Sequence, residues 1–381
     1  MSTVTDVREQ VVELAREFAR EKIEPFAAEW DRTSHFPRDV INEIGKLGFL
    51  GMCTPEEYDG MGLDTVTYLL ALEEISAADA AFAVSIGIHN AIPTTMLVKH
   101  GTREQKERWL KPMARGELLA GFALSEPEAG SDAASLRSQA TKDGKDWVLN
   151  GTKAWATNAG TADLMMVMVR TDRPDARRGA KGISTFIVPT DSKGYKAAKA
   201  EDKMGLRASN TAGIELNDLR LPAGHMLGEA GMGFVYAMEG LEAGRLGIGA
   251  QGVGIARKAL EHSLKYCAER KQFGKAIADF QAVQFKLADM ATRIEAARAL
   301  AHRAAARKDA GEDITLHASM AKLFASETAM WVTTQAIQLF GGYGYMRDFP
   351  VEKLFRDAKV TEIYEGTSEI QRVVIARALA R

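Results

Sequence analysis

Cysteine is almost missing from this chain of 381 residues, which carries only Cys53 and Cys267. Two thiols build neither a disulfide scaffold nor a multi-thiolate metal centre, and they fit a reducing compartment. An excess of one charge sign is missing too. The formal net charge is −2, with charged residues at 26%, which gives no electrostatic grip on nucleic acid or an anionic membrane. The apolar stretches are read as falling short of a membrane span. Residues 1–10 are polar and offer no signal-peptide core. The expectation is a cytoplasmic protein with no stable membrane insertion. Seven histidines are scattered, and no set of His, Cys, Asp and Glu shows metal-site spacing. A GxSxG elbow is absent, so serine-hydrolase chemistry has no support. The hydrophobic share, 46%, is that of an ordinary globular protein.

Periodicity divides the chain into three. Val11, Leu14, Ala15, Phe18 and Ala19 recur at helical spacing, and Pro25 is placed to end or bend that helix. Further helical runs cover about 65–75, 80–99 and 103–114. Near Gly121 the texture changes to short β-rich runs at 147–150, 164–169 and 183–188, parted by turn residues such as Asp143-Gly144 and Asn150-Gly151. After Gly233 long Ala-rich helical runs return, apolar on more than one side, as in bundle helices or subunit contacts. The reading is α+β: an N-terminal helical domain (1–120), a middle, mostly antiparallel β domain (121–232) and a C-terminal four-helix bundle (233–381).

Gly247-Ile248-Gly249-Ala250-Gln251-Gly252 spells a dinucleotide-binding GxGxxG. Such a site needs a strand before it and a βαβ unit around it. Met238–Arg245 reads as helix instead, so close helix packing through small residues is the preferred interpretation.

Four segments carry chemical residue types. The stretch from Phe122 through Leu124, Ser125, Gly130 and Ser131 to Asp132 is either an interdomain turn or a loop touching a polar ring system. Trp155 and Thr157, two apart on a strand, point the same way; they are core residues or flank a planar cofactor. The loop Arg270-Lys271-Gln272-Phe273-Gly274 is a charged connector or presents Arg270 to phosphate. The last segment joins a glycine-dense turn, Gln338 to Tyr345, with Ile363-Tyr364-Glu365-Gly366-Thr367-Ser368-Glu369. Ser368 and Gln371 have capping-box spacing, which starts a helix there. Glu365, beside glycine and aromatics at a helix mouth, is the candidate base.

These motifs, in this order and over nearly the whole chain, resemble the acyl-CoA dehydrogenase family, nearest its short- and medium-chain types. The resemblance implies noncovalent FAD and a homotetramer built as a dimer of dimers. It assigns Phe122, Leu124, Ser125, Gly130 and Ser131 to the flavin loop, with Ser131 also facing the thioester ligand. Trp155 and Thr157 match the pair on the isoalloxazine ring. Arg270, Gln272, Phe273, Gln281, Gln338, Gly341 and Gly342 match residues reaching a neighbouring subunit's FAD. Thr367 and Glu369 match positions near the adenosine and pyrophosphate. Leu241, Glu242, Arg245 and Gly366 fall on the acyl-CoA side.

By the same resemblance, Glu365 removes the α proton of a saturated acyl-CoA, the β hydrogen leaves as hydride to flavin N5, and trans-2-enoyl-CoA forms. Some branches carry the carboxylate near position 244, which here is glycine. A buried Glu has a raised pKa, suited to a base near neutrality. Electrons pass to an electron-transferring flavoprotein. An oxidase of the same fold is the near rival, and a cofactor-free helical scaffold the remote one. The tail is expected to be short to medium and straight, with short branched chains as the alternative.

Overall fold

A computed structural model describes residues 4–172 and 179–380; the chain limits 1 and 381 used above lie outside it. The N-terminal helices are α1 (Val4–Phe18), α2 (Ala27–Thr33), α3 (Arg38–Lys46), α4 (Thr65–Ala78), α5 (Ala80–His100), α6 (Arg103–Gln105) and α7 (Lys111–Ala114). The strands are β1 (Ala120–Ala123), β2 (Gln139–Asp143), β3 (Asp146–Thr157), β4 (Leu164–Arg170), β5 (Ile183–Pro189), β6 (Tyr195–Ala197), β7 (Thr211–Pro222) and β8 (Met226–Leu227). Long helices then follow: α8 (Gly233–Glu269), α9 (Gln281–Asp309), α10 (Thr315–Phe340), α11 (Val351–Lys359) and α12 (Ser368–Leu379), with the small hairpin β9 (Lys271–Gln272) and β10 (Lys275–Ala276) after α8. Helices, a middle sheet and a helical bundle therefore follow in the expected order.

α5 corrects one expectation. It has 21 residues, with an 18-residue stretch of mean hydropathy 1.4, long and apolar enough to cross a membrane. Most of the helix is instead packed inside the protein, against α8 and α4. Asp79 starts it by accepting from the Ala81 N–H at 2.9 Å, the usual satisfaction of an orphan N-terminal donor.

The sheet runs β6-β7-β3-β2-β4-β5-β8, with β1 added beside β4. Most pairs are antiparallel; β1–β4 is parallel, as is the single β2–β4 link. β3 and β7 pair along their length but shift register between Lys153 and Ala156. At this bulge Trp155 takes φ +55°. One extra residue is accommodated on β3 there, with Trp155 exposed, Ala156 buried and Thr157 half-buried.

α8 is the central column, packing on α10, α5, α4 and α9. Its GxGxxG lies inside the helix. A Cβ at Gly252 would stand 3.0 Å from the Ala325 carbonyl oxygen, and one at Gly254 would stand 2.6 Å from that of Glu73. The glycines let neighbouring backbones approach, which offsets their helix-propensity cost.

Candidate functional site

Glu365 sits between the one-turn helix Val360–Glu362 and α12, in a turn with two successive left-handed residues: Glu365 at φ +52° and Gly366 at φ +92°. A non-glycine residue there is strained and persists only where its surroundings hold it. Gln371 Nε2 donates to the carbonyls of Glu365 (3.2 Å) and Gly366 (2.8 Å). Lys322 Nζ, reaching in from α10, donates to the same Gly366 oxygen at 2.8 Å. The helix cap differs from the expectation. Thr367, not Ser368, is the N-cap, accepting from the Ile370 N–H at 3.3 Å. The Gln371 amide is spent on the turn carbonyls instead of closing a capping box.

The carboxylate faces α8. A Cβ on Gly244 would lie 2.2 Å from Glu365 Oε2, so glycine at 244 makes the cradle in which the acid rests. Oε2 is buried and accepts no hydrogen bond from the described residues. Burial pushes the Glu365 pKa up to about 7, against the opposing charges of Lys322 and Arg245. Arg245, itself buried with an unpartnered Nε, is drawn down by desolvation. An uncommitted, ionisable carboxyl in a dry cradle is the arrangement a general base requires.

Along α8 the same face presents Gly240, Gly244 and Gly247. Built Cβ atoms would meet Ile92 of α5 at 2.8 Å, Glu365, and the Tyr68 hydroxyl at 3.2 Å, respectively. One turn on, the face ends at Gln251. Its Nε2 donates to the Ala80 carbonyl at 2.7 Å, and its Oε1 accepts from the Tyr364 hydroxyl.

The chain matches three family models in sequence: the acyl-CoA dehydrogenase N-terminal domain over residues 5–117, the middle domain over 121–219 and the C-terminal domain over 231–380. It is 46% identical over 376 residues to the mitochondrial short-chain specific acyl-CoA dehydrogenase of Mus musculus, covering 99% of this chain and 90% of that protein. This chain belongs to the acyl-CoA dehydrogenases. The butyryl-CoA dehydrogenase structure from Megasphaera elsdenii superposes at TM-score 0.97 with 41% identity, covering 100% of both chains. A chain in the structure of the electron transferring flavoprotein of Acidaminococcus fermentans superposes at 0.96 with 43% identity, covering 100% of this chain and 99% of that one. The acyl-CoA dehydrogenase is thus an FAD-dependent oxidoreductase of fatty-acid metabolism.

The dehydrogenase's residues fit such a group. Trp155 is 58% exposed on its bulge, although a tryptophan in a strand is ordinarily core. The Ala154 N–H, next to it, donates to the Ser125 carbonyl at 2.9 Å, joining the loop after β1 to β3. Phe122 and Leu124 are buried beneath that loop, Thr157 is half-buried, and Gly130 and Ser131 are at the surface. A Cβ at Gly130, Gly341 or Gly342 would meet nothing within 4 Å, so all three leave open space at the backbone.

A second group gathers at the end of the bundle. Arg270 lies over the Tyr343 ring at 5.6 Å, and Phe273, 94% exposed at the hairpin tip, meets Phe280 edge-on at 6.1 Å. Gln272, Gln281, Gln338, Gly341 and Gly342 are exposed around them. Thr367 is committed to its cap and Glu369 is exposed on the first turn of α12. On the other side, Glu242 accepts from the Thr315 hydroxyl at 2.5 Å, and Leu241 packs among the apolar residues between α5 and the sheet.

Sequence reasoning missed four participants. Lys322 is a fully buried cation in an apolar helix; that isolation within 316–326 was its only signal. Lys153 and Glu126 form a buried pair under the Ser125 loop, 2.8 Å apart, and their 27-residue separation hid it. Gln251 was read only as part of the GxGxxG spelling.

Proposed function

We propose that this acyl-CoA dehydrogenase removes the α and β hydrogens of short, straight-chain acyl-CoA thioesters, with Glu365 as the base. The observation that carries the reading is the buried, unpartnered Glu365 Oε2 in the Gly244 cradle, titrating near 7. An α proton beside a thioester is weakly acidic, so the base must be ionised, desolvated and aimed. Enolate charge develops on the thioester oxygen, and donors must await it there. Among the described residues the Glu365 N–H has no acceptor, which leaves it for that oxygen. FAD, when bound, supplies the acceptor for the β hydrogen as hydride.

Trp155 and Thr157, with the loop from Phe122 and Leu124 through Ser125, Gly130 and Ser131, are assigned to the flavin. Arg270, Gln272, Phe273, Gln281, Gln338, Gly341 and Gly342 are assigned to the FAD of a neighbouring copy. Their exposed clustering supports this, and a homotetramer with one FAD per chain belongs to the same reading. Thr367 and Glu369 border the cofactor's phosphates; Leu241, Glu242, Arg245, Gly366 and Ser131 line the acyl-CoA path. The division into 1–120, 121–232 and 233–381 and a cytoplasmic location belong to the same reading. So does an electron-transferring flavoprotein as acceptor, which the likeness to the Acidaminococcus fermentans chain supports.

The short tail is argued from α8. Gly244 and Gln251 are seven residues apart, roughly 10 Å of helix. That stretch of the helix face ends on an amide locked by two hydrogen bonds. Values of kcat/KM across C4 to C16 acyl-CoAs, with isobutyryl- and isovaleryl-CoA, test it. The expected maximum is at C4 to C6; a maximum at C12 or longer, or on a branched chain, overturns the assignment.

A further inference from the structure

We infer that Lys322 is a positioning residue for this reaction: its buried ammonium pins the strained turn that aims Glu365 and electrostatically supports the ionised form of that base. The inference rests on the reading of Glu365 as the base.

The geometry has two parts. Lys322 projects from the N-terminal third of α10, is fully buried, and its Nζ donates to the Gly366 carbonyl at 2.8 Å. With Gln371 Nε2, also at 2.8 Å, it closes a pair of donors on one oxygen. That oxygen belongs to the second of two left-handed residues, so the donors act where the backbone would otherwise relax. The second part is charge. Lys322 is brought down to about 8 by burial, partly countered by Glu365, and Glu365 is in turn drawn down from its desolvated limit first by Lys322 and then by Arg245.

The other groups facing this pocket do not replace Lys322. Arg245 and Glu242 come from α8, and Glu242 is held by Thr315. Tyr68 of α4 and Tyr364 of the turn are pushed well above the ordinary tyrosine range and stay neutral. Glu362 is paired with Lys359, and Glu369 is exposed to solvent. A lysine buried without a carboxylate hydrogen-bonded to it is costly in a purely structural role. Among the described residues its acceptor is the carbonyl next to the base.

The test is the pH profile of flavin reduction by butyryl-CoA, followed anaerobically in FAD-loaded enzyme. Lys322→Gln is one atom shorter but keeps a donor and removes the charge. Its alkaline-rising limb moves up by about one pH unit or more, the rate at pH 7 falls about fivefold or more, and the rate recovers towards pH 9. Lys322→Met shows the same shift plus a loss at every pH, because the Gly366 oxygen loses a donor. Gln371→Leu lowers the rate without moving the limb. If Lys322→Met does not fold, Lys322→Gln decides alone. A folded, FAD-loaded Lys322→Gln whose limb coincides with wild type overturns the inference. Glu365→Gln runs beside them: near-normal bleaching there overturns the base itself, whereas a dead Glu365→Gln with an unmoved Lys322→Gln limb overturns only the role of Lys322.

Discussion

Among the described residues two buried lysines, Lys153 and Lys322, lie near glutamates, and the two glutamates behave oppositely. At the sheet, Lys153 Nζ meets Glu126 Oε1 at 2.8 Å. The same carboxylate also accepts the Arg137 N–H at 2.6 Å and the Ser138 N–H at 2.9 Å. Those donors hold the Glu126 pKa below the ordinary value even though burial pushes the other way. In the bundle, Lys322 spends its hydrogen bond on a backbone carbonyl and Glu365 is left without donors, so burial wins and the acid rises to about 7. Both lysines fall to about 8. The pairs differ in where the donors point, not in residue type. A carboxylate saturated with donors is a structural strut, and one deprived of them is a base in waiting.

The largest effect expected from breaking this contrast is at Glu365. Glu365→Gln should keep the fold and FAD but slow flavin reduction by acyl-CoA on the order of 10³-fold, seen by anaerobic stopped flow. The same variant tests the linkage. Glu365 titrates at 4.5 unfolded and about 7 folded, so between these values the native state holds more protons. Its contribution to stability is complete below pH 4.5 and is lost as pH rises through 7. Glu365→Gln should therefore melt above wild type at pH 8 and close to it at pH 4.5, in thermal scans at the two pH values.

At the strut, Lys153→Met leaves a buried carboxylate without its cation. The expected cost is about 3–5 kcal/mol by denaturant titration, with weaker FAD retention because the Lys153 ammonium also donates to the Leu124 carbonyl at 3.3 Å. Adding Glu126→Gln should recover part of the loss, since a neutral amide tolerates burial better.

Gly244→Ala sharpens the comparison from the other side of the base. Its methyl would stand 2.2 Å from Glu365 Oε2 and force the carboxyl out of its cradle. We expect kcat for butyryl-CoA to fall about tenfold, equivalent to ~1.4 kcal/mol in the barrier, with the FAD absorbance unchanged. The smallest effect is at Gln251. Gln251→Ala should open the end of the path and favour longer tails by about 0.8 kcal/mol for each added methylene, read as a graded shift in kcat/KM across chain lengths.

The helices and strands were legible because their hydrophobic periods are long and locally consistent: the runs at 103–114, 164–169 and 183–188 reappear as elements. The site was legible as motifs, because glycines, Trp155 and Glu365 sit in dense local clusters of unusual residue types. Local pattern did not determine the bulge that turns Trp155 outward, the choice of Thr367 over Ser368 as cap, or the burial of α5. Each depends on which partner strand or helix lies alongside. The same holds for the energetics. Sequence alone placed a glutamate beside a glycine, but whether that acid is ionised depends on the donors around it. Its lack of them, the nearby charge of Lys322, 43 residues upstream by number, and the room left by Gly244 on another helix decide it. Hydrogen bonding and desolvation act through space at a few ångströms, so only the tertiary structure decides which of two buried glutamates is held as a strut and which is left free to take a proton.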